Sequence, residues 1–226
     1  MASFEPRPAG CAAVYSSITA RRERRPGPQR HYADVLAITG RSEAALAELR
    51  RMQALDPDSP VASNALAYQL YASGRYEESL EETRRAVLLE PENHYTPWLR
   101  GIVPEALGRY AEAEAAFRSD PRWTGFNGRL TPAVGHLYAV MGRREEALGI
   151  VRQLEERTSG GQAEHFSLAL VHAGLGNRDA AFAELEKARK RHDLSVPYVT
   201  VDPRMASLRP DPRFGEFVGR LKPSKP

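Results

Sequence analysis

Apolar and small residues recur at helical spacing along the chain, and the pattern breaks at regular points. In "SNALAYQLYAS", residues 63–73, Leu66 and Leu70 fall on one side of a helix. A second amphipathic stretch follows and stops at Pro91, because proline disrupts a helix. Gly74 stands between the two stretches, and glycine adopts the left-handed conformation of a helix end at little cost. The pattern therefore predicts two antiparallel helices joined at Gly74.

The same corner returns at a constant interval. Five segments share its pattern: "GRSEAAL" from Gly40, "GRYEESL" from Gly74, "GRYAEAE" from Gly108, "GRREEAL" from Gly142 and "GNRDAAF" from Gly176. Successive glycines are 34 residues apart throughout. A repeat of this length, with one helical pair in each unit, predicts an array in which every pair packs against its neighbours.

Small residues occupy two equivalent positions in every unit. One set lies seven residues before each glycine and the other lies five residues after it: Ala33, Ala67, Gly101, Gly135 and Ala169, then Ala45, Ser79, Ala113, Ala147 and Ala181. Side chains of this size let the two helices of a pair approach closely, and a larger side chain would overpack the contact. We therefore expect the paired helices to cross at these positions.

A 34-residue helix–turn–helix unit with small residues at these positions resembles the tetratricopeptide repeat (TPR). The resemblance covers residues 29–193, in units near 29–57, 60–91, 94–125, 128–159 and 161–193. It implies an all-α fold, a right-handed superhelical solenoid of about five helix pairs. In this family the first helix of each unit lines a concave groove.

The chain ends with two Asp-Pro-Arg motifs, which begin at Asp202 and Asp211. Aspartate can cap a short helix whose first turn contains proline, so we expect helices near 203–208 and 211–221. Segment 194–226 would then cap the open end of the array. This ending resembles the TPR segment appended to bacterial winged-helix transcriptional regulators, class III adenylate cyclases and Ser/Thr protein kinases. That resemblance implies an alternative function, a sensory or regulatory segment whose effector domain is absent from these residues.

Charge is concentrated near the N-terminus, and the rest of the chain is close to neutral. Residues 1–30 hold six arginines and two glutamates, and the whole sequence has a net charge of +3. We interpret residues 1–28 as a disordered or loosely packed basic tail, because proline and glycine interrupt them and no apolar period is sustained. The balanced charge of the remainder argues against a nucleic-acid-binding domain.

Composition also bears on location. No apolar stretch reaches the roughly 18–20 residues that a membrane-spanning helix needs, so no membrane partner is expected. The single cysteine, Cys11, excludes an internal disulfide and fits a reducing, cytoplasmic compartment. Arginine outnumbers lysine 28 to 4, which indicates a GC-rich, bacterial genome.

No catalytic or metal-binding motif stands out in the sequence. It has no Gly-x-x-x-x-Gly-Lys-Ser/Thr, no His-Glu-x-x-His and no paired cysteines. His165 and His172 are seven residues apart, a spacing that favours packing over metal binding. Phosphate binding by the arginines after the glycines, Arg75, Arg109 and Arg143, is a weak alternative to a structural role. We therefore expect no enzyme activity, no cofactor and no metal.

Several large side chains fall on the expected concave face of the first helices. They are Asn64, Tyr68, Tyr71, Tyr95, Trp98, Ile102, Glu105, His136 and Phe166. Aromatic side chains supply contact area at low entropy cost, which favours binding of a protein or peptide partner. The same side chains could instead pack between repeats, or be covered by residues 194–205 or by the N-terminal tail. The sequence thus predicts a non-catalytic scaffold with a partner-binding groove, and it leaves the partner and the oligomeric state open.

Overall fold

In the computed structural model, the described residues are 26–91, 96–120 and 130–221. Across these residues the chain is helical and contains no β-strand. The helices are α1 (Pro26–Ile38), α2 (Ser42–Leu55), α3 (Pro60–Ala72), α4 (Tyr76–Leu89), α5 (Thr96–Ala106), α6 (Tyr110–Arg118), α7 (Leu130–Val140), α8 (Arg144–Ser159), α9 (His165–Gly174) and α10 (Arg178–Lys190), followed by two 3-10 helices (Val196–Thr200 and Pro203–Leu208) and α11 (Pro212–Gly219).

The ten longer helices form five consecutive pairs, from α1 with α2 to α9 with α10, and each pair packs against the next. The all-α solenoid predicted from the repeat is therefore confirmed. Residues 1–25, which hold Cys11 and most of the predicted basic tail, lie outside the described residues, and α1 begins at Pro26.

Every pair turns at one of the five equally spaced glycines. Their φ angles lie between +72° and +83°, in the left-handed region that favours glycine. In unit two, the N–H of Gly74 donates to the carbonyl of Tyr71 at 3.0 Å and the N–H of Arg75 donates to that of Leu70 at 2.9 Å. This Schellman motif satisfies carbonyls that the end of α3 would otherwise leave without a donor. The equal spacing of glycines in the sequence is thus an equal spacing of corners in the fold.

The small residues let side chains of one helix pack directly against the backbone of the other, as units two and three show. In unit two, the Ser79 hydroxyl donates to the carbonyl of Ala67 at 2.7 Å, and both residues are fully buried. In unit three, a Cβ added to Gly101 would lie 1.9 Å from Cε1 of Phe117. No side chain larger than hydrogen fits there without displacing the phenyl ring.

The apolar core extends beyond the five pairs into the C-terminal segment, which we define as residues 194–211. Val199, Met205 and Leu208 of this segment are fully buried in one cluster with residues of α9 and α10. Phe217 of α11 belongs to the same cluster. These residues cover the apolar face of the last pair, as the end of a solenoid requires.

Among the residues that the structure describes, no helix is both long enough and apolar enough to cross a lipid bilayer.

Alanine at Gly101 should destabilise the fold, whereas alanine at Gly149 should stabilise it. The new methyl group at Gly101 would overlap the Phe117 ring, and overpacking of this kind costs about 1–3 kcal/mol. At Gly149, inside α8, the nearest atom to a new methyl is Nη2 of Arg152 at 3.8 Å, so the gain in helix propensity of about 0.5–1 kcal/mol remains. Urea denaturation of both variants measures the difference. Shifts of the same sign would contradict the close helix crossing at Gly101.

Candidate functional site

The structure describes eight of the nine residues predicted to line the groove, and it places them on the first helices of units two to five. Seven are buried and Phe166 is half-buried; the buried ones are Asn64, Tyr68, Tyr71, Trp98, Ile102, Glu105 and His136. Tyr95 lies outside the described residues. Four members of this set contact the C-terminal segment: Tyr68, Tyr71, Trp98 and His136.

The C-terminal segment crosses the array on the side formed by the first helices. Near one end, the Thr200 hydroxyl lies 3.4 Å from the carbonyl oxygen of Ile38 in α1. Near the other end, the Ser207 hydroxyl donates to the carbonyl of Ala173 in α9 at 3.1 Å. The ring of Tyr198, two residues before Thr200, stands edge-on to Tyr68 in unit two with 6.1 Å between ring centres. One stretch of the chain therefore spans the first helices from unit one to unit five.

A buried ion pair within the segment faces the predicted groove. Nε and Nη2 of Arg204 donate to Oδ1 and Oδ2 of Asp202 at 3.0 and 2.7 Å, and Asp202 Oδ1 also accepts the N–H of Arg204. The exposed fractions of Asp202 and Arg204 are only 2% and 9%. The guanidinium carbon lies 5.3 Å from the ring centre of Trp98 in α5. This contact joins the ion pair to an aromatic residue that the sequence placed in the groove.

Polar groove residues complete the cluster around the ion pair. Nε2–H of His136 donates to the carbonyl of Arg204 at 3.2 Å, while Nδ1 lies 2.5 Å from Oε1 of Glu105. The hydroxyl of Tyr71 lies 3.5 Å from Asp202 Oδ1. Tyr71 of α3 and His136 of α7 thus present polar groups to residues 202–204 of the C-terminal segment, and Glu105 of α5 contacts His136 from behind.

The pKa values within the cluster follow from burial and charge. Burial raises the pKa of Tyr71, and the Asp202 carboxylate raises it further. Burial also opposes ionisation of Asp202, but the charge and hydrogen bonds of Arg204 outweigh it and lower the pKa of that carboxyl. At neutral pH the cluster therefore holds a charged Asp202–Arg204 pair beside a neutral tyrosine.

The second Asp-Pro-Arg motif repeats this local geometry at the surface. Asp211 accepts the N–H of Arg213 at 3.0 Å and its Nε at 2.9 Å, and Arg213 is exposed. The hydrogen bond from Arg213 lowers the pKa of Asp211 to about 2. Sequence reasoning identified both aspartates as helix caps but missed their ion pairs with the arginines. The arginine two residues after each aspartate was the signal from which these ion pairs could have been predicted. The sequence does not show that only the first motif is buried, because that burial depends on residues far away in the chain.

Three other candidate residues, Arg75, Arg143 and His165, have structural partners. The guanidinium of Arg75 pairs with Glu78 at 2.6 Å, and that of Arg143 pairs with Glu114 at 2.7 Å, so the geometry gives phosphate binding no support. Nδ1 of His165 lies 2.7 Å from Oε2 of Glu184. Within the described ranges, no group of three or more His, Cys, Asp or Glu side chains is placed to hold a metal ion.

Asparagine at Asp202 should destabilise the protein far more than asparagine at Asp211. Removing one partner of a buried ion pair leaves the other charge unpaired, at a cost of about 3–5 kcal/mol, whereas the Asp211 pair is screened by solvent. The pKa of Asp202 lies below its ordinary value of 3.8. The ion pair therefore contributes its full stability to the folded protein above pH 3.8, and that stability is lost as the pH falls through the folded-state pKa. Urea midpoints should therefore separate wild type from Asp202→Asn at pH 7 and converge in acid. Equal midpoints for the two variants at pH 7 would contradict the buried pair.

Two family models described as tetratricopeptide repeat match the sequence, over residues 64–124 and 26–51. Comparison with curated proteins found no match. One similar solved structure is YrrB, described as a TPR protein with an unusual peptide-binding site; identity is 20%, the TM-score is 0.47, and 81% of this chain and 95% of that chain are covered. Another is a human IFIT1 dimer with PPP-AAAA, at 18% identity and a TM-score of 0.48; the match covers 82% of this chain but only 47% of that chain. The two family matches support a tetratricopeptide-repeat assignment for the residues they cover, 26–51 and 64–124, and the fold of that family is generally a non-catalytic interaction scaffold.

Proposed function

We propose that this protein is a non-catalytic scaffold that binds a protein or peptide partner on the first helices of its array, at the residues that the sequence predicts for the groove. The observation that carries the proposal is that this surface already accommodates a stretch of polypeptide, the C-terminal segment. A surface that contacts both the backbone and the side chains of a bound segment has the chemistry that peptide recognition requires.

The contacts indicate what a partner must supply. Tyr68 and Trp98 offer aromatic surface, while Tyr71 and His136 offer hydrogen-bonding groups that now contact the C-terminal segment. A buried polar group that loses its partner costs free energy, so a competing peptide has to replace these hydrogen bonds as well as cover the rings. A partner segment that combines apolar residues with an adjacent acidic and basic pair meets both requirements.

Occupation by the C-terminal segment sets the condition for binding. A partner that uses the same surface binds only when the segment has left it, so its apparent affinity falls in proportion to the fraction of open molecules. A substitution that weakens the segment without changing the groove should therefore raise affinity for a peptide added from outside.

A synthetic, fluorescently labelled peptide of residues 194–211 tests this proposal. It should bind the full chain carrying Asp202→Asn more tightly than wild type, because the weakened segment leaves the groove more often. Asp211→Asn, which alters the same motif at the surface, should bind like wild type. Fluorescence anisotropy measures the affinities, and circular dichroism checks that the variants remain helical. If folded Asp202→Asn binds the peptide no better than wild type, the groove does not take a peptide from outside.

The regulatory alternative draws on the same contacts. A segment held by a compact polar cluster can exist in bound and released states, and such a two-state element is what a regulatory repeat segment needs. An effector domain encoded in frame before residue 1 would favour this alternative over a separate scaffold.

A further inference from the structure

His136 is held between two groups that only accept hydrogen bonds. Its Nδ1 lies 2.5 Å from the carboxylate oxygen Oε1 of Glu105 in α5, and its Nε2 lies 3.2 Å from the carbonyl oxygen of Arg204 in the C-terminal segment. The exposed fractions of His136 and Glu105 are 6% and 7%, so neither side chain is open to solvent. The imidazole therefore joins the array to the segment through two buried acceptors.

Two acceptors require two ring protons. A neutral imidazole has one N–H and a lone pair on its other nitrogen, whereas an imidazolium donates from both nitrogens. With a neutral ring, one nitrogen would face an oxygen lone pair, and both atoms would be buried without a donor. Imidazole is a stronger base than carboxylate, so the proton between Glu105 and His136 belongs on Nδ1. The hydrogen bonds are thus satisfied by a protonated His136 beside an ionised Glu105.

The balance of charge in the cluster gives an independent reason. Asp202 and Arg204 neutralise each other, and Tyr71 is neutral because burial raises its pKa. A neutral imidazole would therefore leave the carboxylate of Glu105 uncompensated within the cluster. The other oxygen of this carboxylate, Oε2, is buried without a hydrogen-bond partner among the described residues. A lone buried carboxylate is costly, and a positive ring in contact with it offsets much of that cost.

The other surroundings of the ring are uncharged. From α9, Gly174 packs so closely that a Cβ added to it would lie 2.8 Å from Cδ2 of His136. Within the described ranges, no hydrogen bond or ion pair joins the ring to α6 or α8. The charges that act on His136 are therefore those of Glu105 and of the Asp202–Arg204 pair.

Opening of the segment removes one of the two acceptors. When residues 202–204 leave the groove, the Arg204 carbonyl leaves with them and water reaches the ring and Glu105. Water both donates and accepts hydrogen bonds, so it satisfies either form of the imidazole and hydrates the carboxylate. The second ring proton, which the closed form requires, is not required in the open form.

We propose that closure of the C-terminal segment on the groove is coupled to uptake of one proton by His136, so that mildly acidic solution holds the segment and a rise in pH releases it. An imidazole in water loses its proton near pH 6.5, so above about that pH closure has to take a proton from solvent. The stabilisation is fully present below about pH 6.5 and is lost as the pH rises. Access of a partner to the groove would then depend on pH, and that consequence alone rests on the proposed function.

A different group limits the effect in stronger acid. The pKa of Asp202 lies below its ordinary value of 3.8, so protonation of this carboxyl weakens the ion pair only below that pH. The segment is therefore held most strongly in the mildly acidic range between the two transitions.

Nitrogen NMR of the wild-type chain tests the protonation state directly. With ¹⁵N-labelled histidine, the two ring nitrogens of an imidazolium have similar chemical shifts, while those of a neutral ring are well separated. We expect His136 to show the imidazolium pattern at about pH 7.5, where a free imidazole is about nine-tenths neutral. A neutral pattern at that pH would overturn the proposal.

Hydrogen exchange of the wild-type chain measures the coupling. The amide of Asp202 donates to the carbonyl of Tyr198 at 2.8 Å, at the end of a short 3-10 helix that does not persist once the segment leaves the array. After correction for the intrinsic exchange rate at each pH, the opening constant should rise above about pH 6.5, with a slope that approaches about tenfold per pH unit for one linked proton. An opening constant that stays constant or falls as the pH rises would refute the coupling.

Glu105→Gln provides the matched variant. Its neutral amide donates an N–H to Nδ1, so a neutral ring with its proton on Nε2 satisfies both contacts and leaves no charge to balance. The segment should stay bound, and its opening constant should no longer depend on pH in this range. Glu145→Gln makes the same change on an exposed side chain of α8 and should keep the wild-type slope.

A wild-type slope in folded Glu105→Gln would contradict the assignment of the proton to His136 and Glu105. If circular dichroism shows that this variant has lost its helices, the two wild-type measurements decide the proposal. None of these experiments includes a partner, so failure of the coupling is distinguishable from failure of the scaffold proposal.

Discussion

Close packing of the paired helices at their small residues is the constraint on which the rest of the array depends. The hydrogen bond from the Ser79 hydroxyl to the carbonyl of Ala67, and the packing of the Phe117 ring against Gly101, show how near the helices lie. Because small residues fix the helix crossing and glycine fixes the corner, the first helix of every unit lies on the same side of the array. Side chains from separate units, such as Trp98 and His136, therefore meet on one surface although no local interaction joins them.

Apolar and polar contacts have different roles in holding the C-terminal segment. Val199, Met205 and Leu208 are removed from water, and burial of this kind provides most of the favourable free energy. The Asp202–Arg204 pair contributes less net stability than its short distances suggest, because desolvation offsets the attraction between the charges. What the pair adds is register, since a shift of the segment would move Asp202 away from Tyr71 and Arg204 away from Trp98. The polar cluster thus determines where the segment lies, and the apolar contacts determine how strongly it is held.

The fold could be predicted from the sequence because its determinants are local. The corner at Gly74, the small residues at Ala67 and Ser79 and the helical spacing around them are all visible within one unit, and the repeat presents them five times. Helical spacing also placed Trp98 and Tyr68 on a common face, although Tyr95 stays a prediction. The path of the C-terminal segment could not be predicted in the same way, since the motif at Asp202 indicates a cap whether it is buried or exposed. Only contacts with residues far away in sequence distinguish it from the identical motif at Asp211.

The reach of the C-terminal segment changes how such an array is expected to unfold. In an open solenoid each unit touches only its neighbours, so the end units can fray while the middle stays folded. Here Thr200 approaches Ile38 across 162 positions of sequence, while Ser207 holds the last unit. The two ends of the array are thereby tied together, and neither can melt without disturbing the other. The consequence is slower folding, because the chain has to close a loop of 162 residues before the contact between Thr200 and Ile38 can form.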